Sequence, residues 1–415
     1  MDELIAWIIL SRALTPGGTS FGKLIRAFDT AGEILSATDG EIARIISSGS
    51  EDYAHLVRRD VADAEKILAA CREKRIGILP YTDEKYPEAF RRLTDPPAVL
   101  YTYGKLPDLN ADFFVSAVGT RMASEYGMTN AFAICRDLAR AGAVIVSGLA
   151  IGIDAASLAG GVSADAPTVG ILGSGIDRLY PKENRTLAVA MLHKGGCLLS
   201  EYAPGTPAMP YHFPTRNRLI SALSPATLLI EGGERSGSLI TANLAKKQGR
   251  KVYALPGSVG SGNAAAPNML LRDGAHILTS ASDVLTDFAD AYVAKVNPFV
   301  LRTPAPVNRD AVFATLGITG YHTKNSPARR QTKAPRVPPK ETVIPPPVAP
   351  APDTLARLTP VQRAVYDRLP AVGDVALDAL VGGELTSKDI LRALPVLEML
   401  GLSELLPGER IRRRA

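Results

Sequence analysis

The chain has almost none of the residues that build covalent or metal-held scaffolds. Its 415 residues include only three cysteines. Cys71, Cys135 and Cys197 form no CxxC pair, which excludes a zinc-ribbon ligand set and a disulfide framework and fits a reducing compartment. No apolar run approaches the roughly 18 residues that a membrane span requires. The opening MDELIAWIILSRAL lacks a basic leader and a small-residue cleavage site, so the expectation is a cytoplasmic protein that does not touch membranes. Two nucleotide signatures are also missing. There is no GxxxxGK[ST] loop, which argues against ATP hydrolysis. Gly170, Gly173 and Gly175 lack the remaining glycine of the dinucleotide fingerprint and follow the third strand rather than the first. No cofactor and no metal are expected.

What is present is length and patterned charge. A chain of 415 residues exceeds one compact core, so two to four domains are expected. The net charge of +5 is unevenly spread. Lys and Arg number 15 against 14 Asp and Glu in residues 111–290, but nine against three in 291–353. A nucleic-acid site in the folded part would therefore be a local patch rather than a generally basic surface.

Four pieces are predicted. Residues 1–70 place Leu24, Ile25, Phe28, Ile34, Leu35, Ile42, Ile45 and Ile46 at helical spacing, giving a small helical domain. Its TPGGTSFGKLIRAF stretch has the look of a helix-hairpin-helix turn, or equally of a turn that serves packing. Residues 75–290 alternate short apolar runs with helical patterns: FFVSAV, AVIVS, PTVGIL, GCLLS, ATLLIE and KVYAL. That alternation predicts an α/β domain with a doubly wound, mainly parallel, Rossmann-like sheet. Residues 291–353 hold twelve prolines between Pro298 and Pro352 and read as a basic, disordered linker. Residues 354–415 read as helices capped at Thr359 and Thr386, followed by a hairpin around Pro407 and Gly408, suggesting a winged helix.

Ligands of open α/β sheets sit beyond the carboxyl ends of the strands. The residues there are Gly119, Thr120 and Arg121; Ser147 and Gly148; Lys182 and Arg185; Phe213, Arg216, Asn217 and Arg218; and Ser236, Gly237 and Ser238. Small residues let phosphate reach backbone amides, while the basic ones supply charge on the same rim. In HFPTRNRLIS, an aromatic followed by Arg-Asn-Arg offers base stacking and phosphate forks together, which points to single-stranded nucleic acid. In the competing reading, Arg216 or Arg218 pairs with Glu201 or Glu231, and Phe213 is core. His212 has no evident catalytic partner and reads as a structural hydrogen bonder, and Asp154 as a brace for the helix that starts there. No catalysis is expected.

VSGLAIGIDAASLAGG, GSGIDRLYPKENRTLA, LLSEYAPGTPAMPYHFPTRNRLISALS and ERSGSLITANLAKKQGRKVYALPGS, with the ending NMLLRDGAHILTSASDVL, together resemble the DNA-processing protein A (DprA/Smf) family over residues 75–288. The resemblance implies an extended Rossmann-like domain flanked by a sterile-alpha-motif-like or helix-hairpin-helix module and a winged helix. It implies a bacterial cytoplasmic homodimer that binds single-stranded DNA and loads RecA recombinase onto incoming strands in natural transformation. It further implies DNA contacts at Val118-Gly119-Thr120-Arg121, at Lys182 and at Phe213 to Arg218. Two departures stand out. Thr120 replaces a serine, and Ala266-Pro267-Asn268 replaces Gly-Thr-Asn, where proline removes an amide and fixes φ; that loop is left out of the site.

Two other functions compete. One is a Rossmann-type enzyme on a nucleoside monophosphate or another small phosphate, for which a closed pocket holding Glu231 or Glu234 would speak. The other is an adaptor whose basic linker carries all DNA affinity. For the carboxy-terminal domain, Lys388 and Arg392 are offset by Asp389 and Glu398, which predicts a poor major-groove reader that mainly contacts protein or assists through Arg410, Arg412, Arg413 and Arg414.

Overall fold

The structure is a computed structural model, and it describes residues 2–303, 305–318 and, with breaks at 357, 372, 384 and 407–409, residues 355–414. The chain divides into two units, residues 1–326 and 327–415.

The first unit begins with six helices: α1 (Glu3–Ala13), α2 (Ser20–Ala27), α3 (Ala31–Ser36), α4 (Asp39–Ile45), α5 (Glu51–Leu56) and α6 (Val61–Lys74). Local capping explains their close spacing. Thr30, Thr38, Ser50 and Asp60 each accept a hydrogen bond from a backbone amide in the first turn that follows, and Thr38 with Glu41 completes a capping box. The chain continues through β1 (Gly77–Pro80), α7 (Glu88–Arg91), β2 (Val99–Gly104), β3 (Phe114–Val118), α8 (Glu125–Arg140), β4 (Val144–Ser147), α9 (Ile153–Ser163) and β5 (Thr168–Leu172). Next come α10 (Arg185–His193), β6 (Cys197–Ser200), α11 (His212–Leu223), β7 (Ala226–Leu229), α12 (Gly237–Lys247), β8 (Lys251–Ala254), α13 (Ala265–Arg272), β9 (His276–Ile277) and α14 (Ala281–Phe288).

The nine strands form one sheet in the order β1-β2-β6-β5-β4-β3-β7-β8-β9. Strands β3 to β9 are parallel to their neighbours, while β2 runs antiparallel to β6 and β1 antiparallel to β2. The six predicted apolar runs are β3 to β8. They lack a polar alternation because helices cover both faces: Val115, Ala117 and Ile145 face one core, Phe114, Val118, Val144 and Val146 the other. The sheet is thus a large, mostly parallel α/β sheet, as predicted, with an antiparallel pair added at one edge.

The amino-terminal helices do not have a core to themselves. Trp7, Ile8 and Leu24 are fully buried in the same apolar cluster as Tyr101 of β2 and Val115 of β3. Phe21 meets Tyr81 edge to face at 5.4 Å. The TPGG turn packs against α5 and α11. Thr15 donates from its amide and hydroxyl to Asp52, and a Cβ on Gly17 (φ +76) would lie 2.6 Å from Thr215 of α11.

The predicted linker does not start at residue 291. A 3-10 turn at Pro298–Arg302 and α15 (Arg309–Leu316) pack back on the unit. Phe313 is fully buried and edge to face with Phe132 at 5.4 Å, and Arg140 donates to the carbonyls of Val300 and Thr303. The prolines concealed this because Asn297 and Asn308 cap the two turns and supply local order. The rest of the expected linker, 319–353, lies outside the described residues.

The second unit has α16 (Pro360–Arg368), β10 (Asp374–Ala376), a 3-10 turn at Leu377–Leu380, α17 (Ser387–Met399), β11 (Ser403–Leu406) and β12 (Arg410–Arg413). Its sheet order is β10-β12-β11, and Val365, Leu397 and Ile411 are fully buried in its apolar core.

Candidate nucleic-acid interface

The sheet reverses its winding at β3. The chain proceeds outward through β4, β5 and β6, then returns to place β7 on the opposite side of β3. Crevices at such a reversal are where open α/β sheets bind ligands. The turn after β3 lies at this point, and the fold fixes it from both sides. Thr120 donates its amide to the Glu231 carbonyl after β7 at 2.8 Å and accepts from the Ile153 amide at 3.2 Å. Gly119 permits the close approach, since a Cβ there would stand 2.5 Å from Ile153.

Arg121, next in the turn, is exposed and has no ion pair among the described residues. Its guanidinium lies 5.2 Å from the centre of the Phe213 ring, on the first turn of α11. Phe213 is half-buried and leans on Tyr180, ring centres 5.6 Å apart. Arg121, Gly148, Ile151, Tyr180, Pro181 and Phe213 line a recess of about 40 Å³. One water occupies roughly 30 Å³ of liquid, so the recess cannot enclose a nucleotide. A ligand on this face must lie across it.

Four predicted contact residues turn inward. Ser147 is fully buried and donates to the Ala117 carbonyl at 2.6 Å. Ser238 is buried beside Ser236, their hydroxyls 2.9 Å apart, and Ser236 caps α12 by accepting from the Leu239 amide. Arg218 is 5% exposed and forks onto Glu201 at 2.7 and 2.8 Å, with Asp95 at 2.9 Å. Burial opposes its charge, but Glu201 and Asp95 outweigh burial and raise its pKa above the ordinary arginine value. Arg218 therefore holds the fold, as the competing reading foresaw. Arg216 is 4% exposed and donates to the carbonyls of Gly148, at 3.0 Å, and Ile171. Its charge faces Asp154, which accepts from the amides of Gly148 and Ala150. Burial pulls the Arg216 pKa down to about 10 despite that partner.

Lys182 and Arg185 are exposed but belong to a second, larger cavity of about 640 Å³, which they share with Lys74, Arg178 and Tyr103 over an aliphatic floor. Tyr180-Pro181 walls the small recess and Lys182 the large one, so one segment joins the two. The rim is thus two adjoining patches rather than one groove. Gly148 forms part of the recess wall through its backbone, Asn217 accepts from Arg216 Nε at 3.2 Å, and Gly237 is exposed at the start of α12.

The remaining polar groups near the site have structural partners. His212 stacks on Tyr202 at 4.0 Å, and its Nδ1 lies 3.1 Å from the Gly173 carbonyl. Glu231 accepts from the Ser124 amide and hydroxyl and from Asn263. It borders a cavity of about 430 Å³, yet these three donors already occupy its carboxylate, which leaves it poorly placed as a proton-transfer group. Sequence reasoning did not single out the exposed aromatics Tyr180 (46%) and Tyr211 (64%). Their signal was the tyrosine beside proline in YPKEN and the one before His212.

Residues 77–289 match the family described as DNA recombination-mediator protein A. The chain is 40% identical over 234 residues to the DNA processing protein DprA of Bacillus subtilis, which covers 56% of this chain and 78% of that one. It is 29% identical over 418 residues to the protein Smf of Synechocystis, covering 100% of this chain and 99% of that one. Its fold is similar to the X-ray structure of DNA processing protein A from Streptococcus pneumoniae, with a TM-score of 0.59 and 32% identity over 67% of this chain and 95% of that one.

Proposed function

This chain belongs to the DNA recombination-mediator protein A family, and from that premise we propose that it grips single-stranded DNA across the β3 turn, the first turn of α11 and the Tyr180–Arg185 segment. The family is described as a recombination mediator. The observation that carries the reading is the Arg121 guanidinium beside the half-exposed Phe213 ring, with Tyr180 next to it. A cation for phosphate and two ring faces for bases suit a strand whose bases are unpaired, while duplex DNA hides its ring faces in the stack. Gly119, Thr120, Arg121, Tyr180, Lys182, Arg185 and Phe213 are the proposed contacts, with Gly148, Asn217, Ser236 and Gly237 at the margins.

The wider role rests on the family resemblance alone. We infer a homodimer that hands incoming strands to the RecA recombinase in the cytoplasm during natural transformation. We read the amino-terminal helices as a sterile-alpha-motif-like module built into the sheet's core, and the second unit as a winged helix. Arg410 pairs with Asp374 and Arg412 and Arg414 with Glu404 at the surface of the unit, while Arg413 lies over the Tyr366 ring. That partial neutralisation of the hairpin's charge favours a protein-facing role over groove reading.

The test is fluorescence anisotropy of the full chain with labelled oligo-dT, competed by unlabelled oligo-dT or a duplex of equal length. Displacement by the single strand at much lower concentration than by the duplex supports the reading. Equal displacement by both overturns it.

A further inference from the structure

The turn after β4 is held in an unusual conformation by buried side chains. Leu149 is fully buried and has φ +56, a left-handed conformation that a residue with a branched side chain seldom adopts. Three buried side chains from three separate elements grip the backbone around it. Asp154, in the first turn of α9, accepts from the amides of Gly148 at 3.1 Å and Ala150 at 3.4 Å. Arg216, on α11, donates to the Gly148 carbonyl at 3.0 Å. Asn184, in the 3-10 turn before α10, donates to the Leu149 carbonyl at 2.8 Å. Their exposures are 7%, 4% and 2%.

Gly148 has no room for more. A Cβ there would fall 2.5 Å from the Arg216 guanidinium and 2.8 Å from the Asp154 carboxylate. The outer side of the same turn, Gly148, Ala150 and Ile151, walls the recess that also holds Arg121 and Phe213.

We propose that Asn184, Asp154 and Arg216 are positioning residues that set the 148–151 turn as the rigid wall of the DNA-binding recess, without touching DNA themselves. The inference rests on the single-strand reading above. It reassigns Arg216 from a phosphate contact to an internal clamp, and it gives the asparagine of YPKEN a role that its charged neighbours obscure. A side chain that shapes a wall contributes through geometry, so its loss weakens binding without removing a phosphate contact. The two kinds of loss separate in the salt dependence, because each phosphate neutralised on a single strand adds about 0.7 to the slope of log K against log salt.

Asn184 is the residue to change, since the uncharged and near-isosteric Asn184→Leu removes the amide that donates to Leu149 without changing charge or size much. Two measurements on the full chain decide the matter. In free protein, hydrogen exchange at the amides of residues 149–152 should accelerate at least tenfold in Asn184→Leu while the thermal midpoint stays within a few degrees of wild type. With oligo-dT, affinity should fall about tenfold with the salt slope unchanged, and Asn184→Gln, which keeps the donor, should recover part of it. Unchanged exchange in the turn, unchanged affinity, or a slope reduced by about 0.7 in Asn184→Leu overturns the proposal. If Asn184→Leu does not fold, Asn184→Ala takes its place as the variant without the donor, and Asn184→Gln remains the variant that keeps it. The exchange result is independent of DNA, so absence of oligo-dT binding by the wild type would overturn the functional reading while leaving the clamp measurable.

Discussion

Arg121 and Phe213 are 92 positions apart in the chain and meet at 5.2 Å, cation to ring centre, where the sheet reverses its winding. Both remain accessible: Arg121 has no ion pair among the described residues, and Phe213, though it leans on Tyr180, keeps part of its ring exposed. Each should therefore contribute to strand binding in its own way. Arg121→Ala should weaken oligo-dT binding and lower the salt slope by about 0.7, the value of one single-strand phosphate. Phe213→Ala should weaken binding by roughly 1–3 kcal/mol, the worth of one base on an aromatic platform, and leave the slope unchanged. Anisotropy titrations at four or five salt concentrations distinguish the two.

Arg218 behaves oppositely. It is enclosed with Glu201 and Asp95, and removing one partner of a buried pair leaves a bare charge in the interior. Arg218→Ala should lose roughly 3–5 kcal/mol of stability in urea unfolding. Where the variant still folds, its oligo-dT affinity should match that of wild type within about twofold, since it contributes no phosphate contact.

That contrast marks where the sequence stops being informative. The strands β3 to β8 were legible because helices on both faces leave an uninterrupted apolar run, which no surface segment imitates. Strands β1 and β2 were not. GILP ends in proline and VLYTYG becomes polar toward Gly104, since both lie at the antiparallel edge. Arg216, Asn217 and Arg218 look alike as letters, and only the packing of α11 buries the two arginines and leaves Asn217 half-open. One clue was available: apart from Ser221, Leu219 to Leu223 are apolar, so that part of the helix is core and an arginine drawn in beside it needs internal acceptors. Asn184 was invisible because its role depends on a backbone conformation at Leu149 that no residue pattern announces.

The amino-terminal helices should unfold together with the sheet. Trp7 is the chain's one tryptophan, fully buried, and its cluster includes strand residues Tyr101 and Val115. Trp7 fluorescence and far-ultraviolet circular dichroism should therefore report one coincident transition for residues 1–318. Trp7→Ala should cost about 3–5 kcal/mol across that whole transition. A separate early fluorescence transition would mean that the helices form an independent domain.

His212 gives the fold an acid sensitivity. Burial holds its pKa below the ordinary histidine value, against the opposing pull of the Gly173 carbonyl. The unfolded chain takes up a proton near pH 6.5 that the folded chain resists. Its contribution is thus complete above pH 6.5 and is lost as pH falls toward the lower folded value. The drop in thermal midpoint between pH 7.5 and pH 5.5 should be smaller in His212→Gln than in wild type.

The most direct test of the strand-binding face is photocrosslinking of the full chain to oligo-dT carrying 5-iodouracil, with the adducts mapped by peptide mass spectrometry. The account predicts adducts at Phe213 and Tyr180, lost when Arg121 is changed to alanine. Adducts confined to residues 319–353 or to the second unit would contradict it.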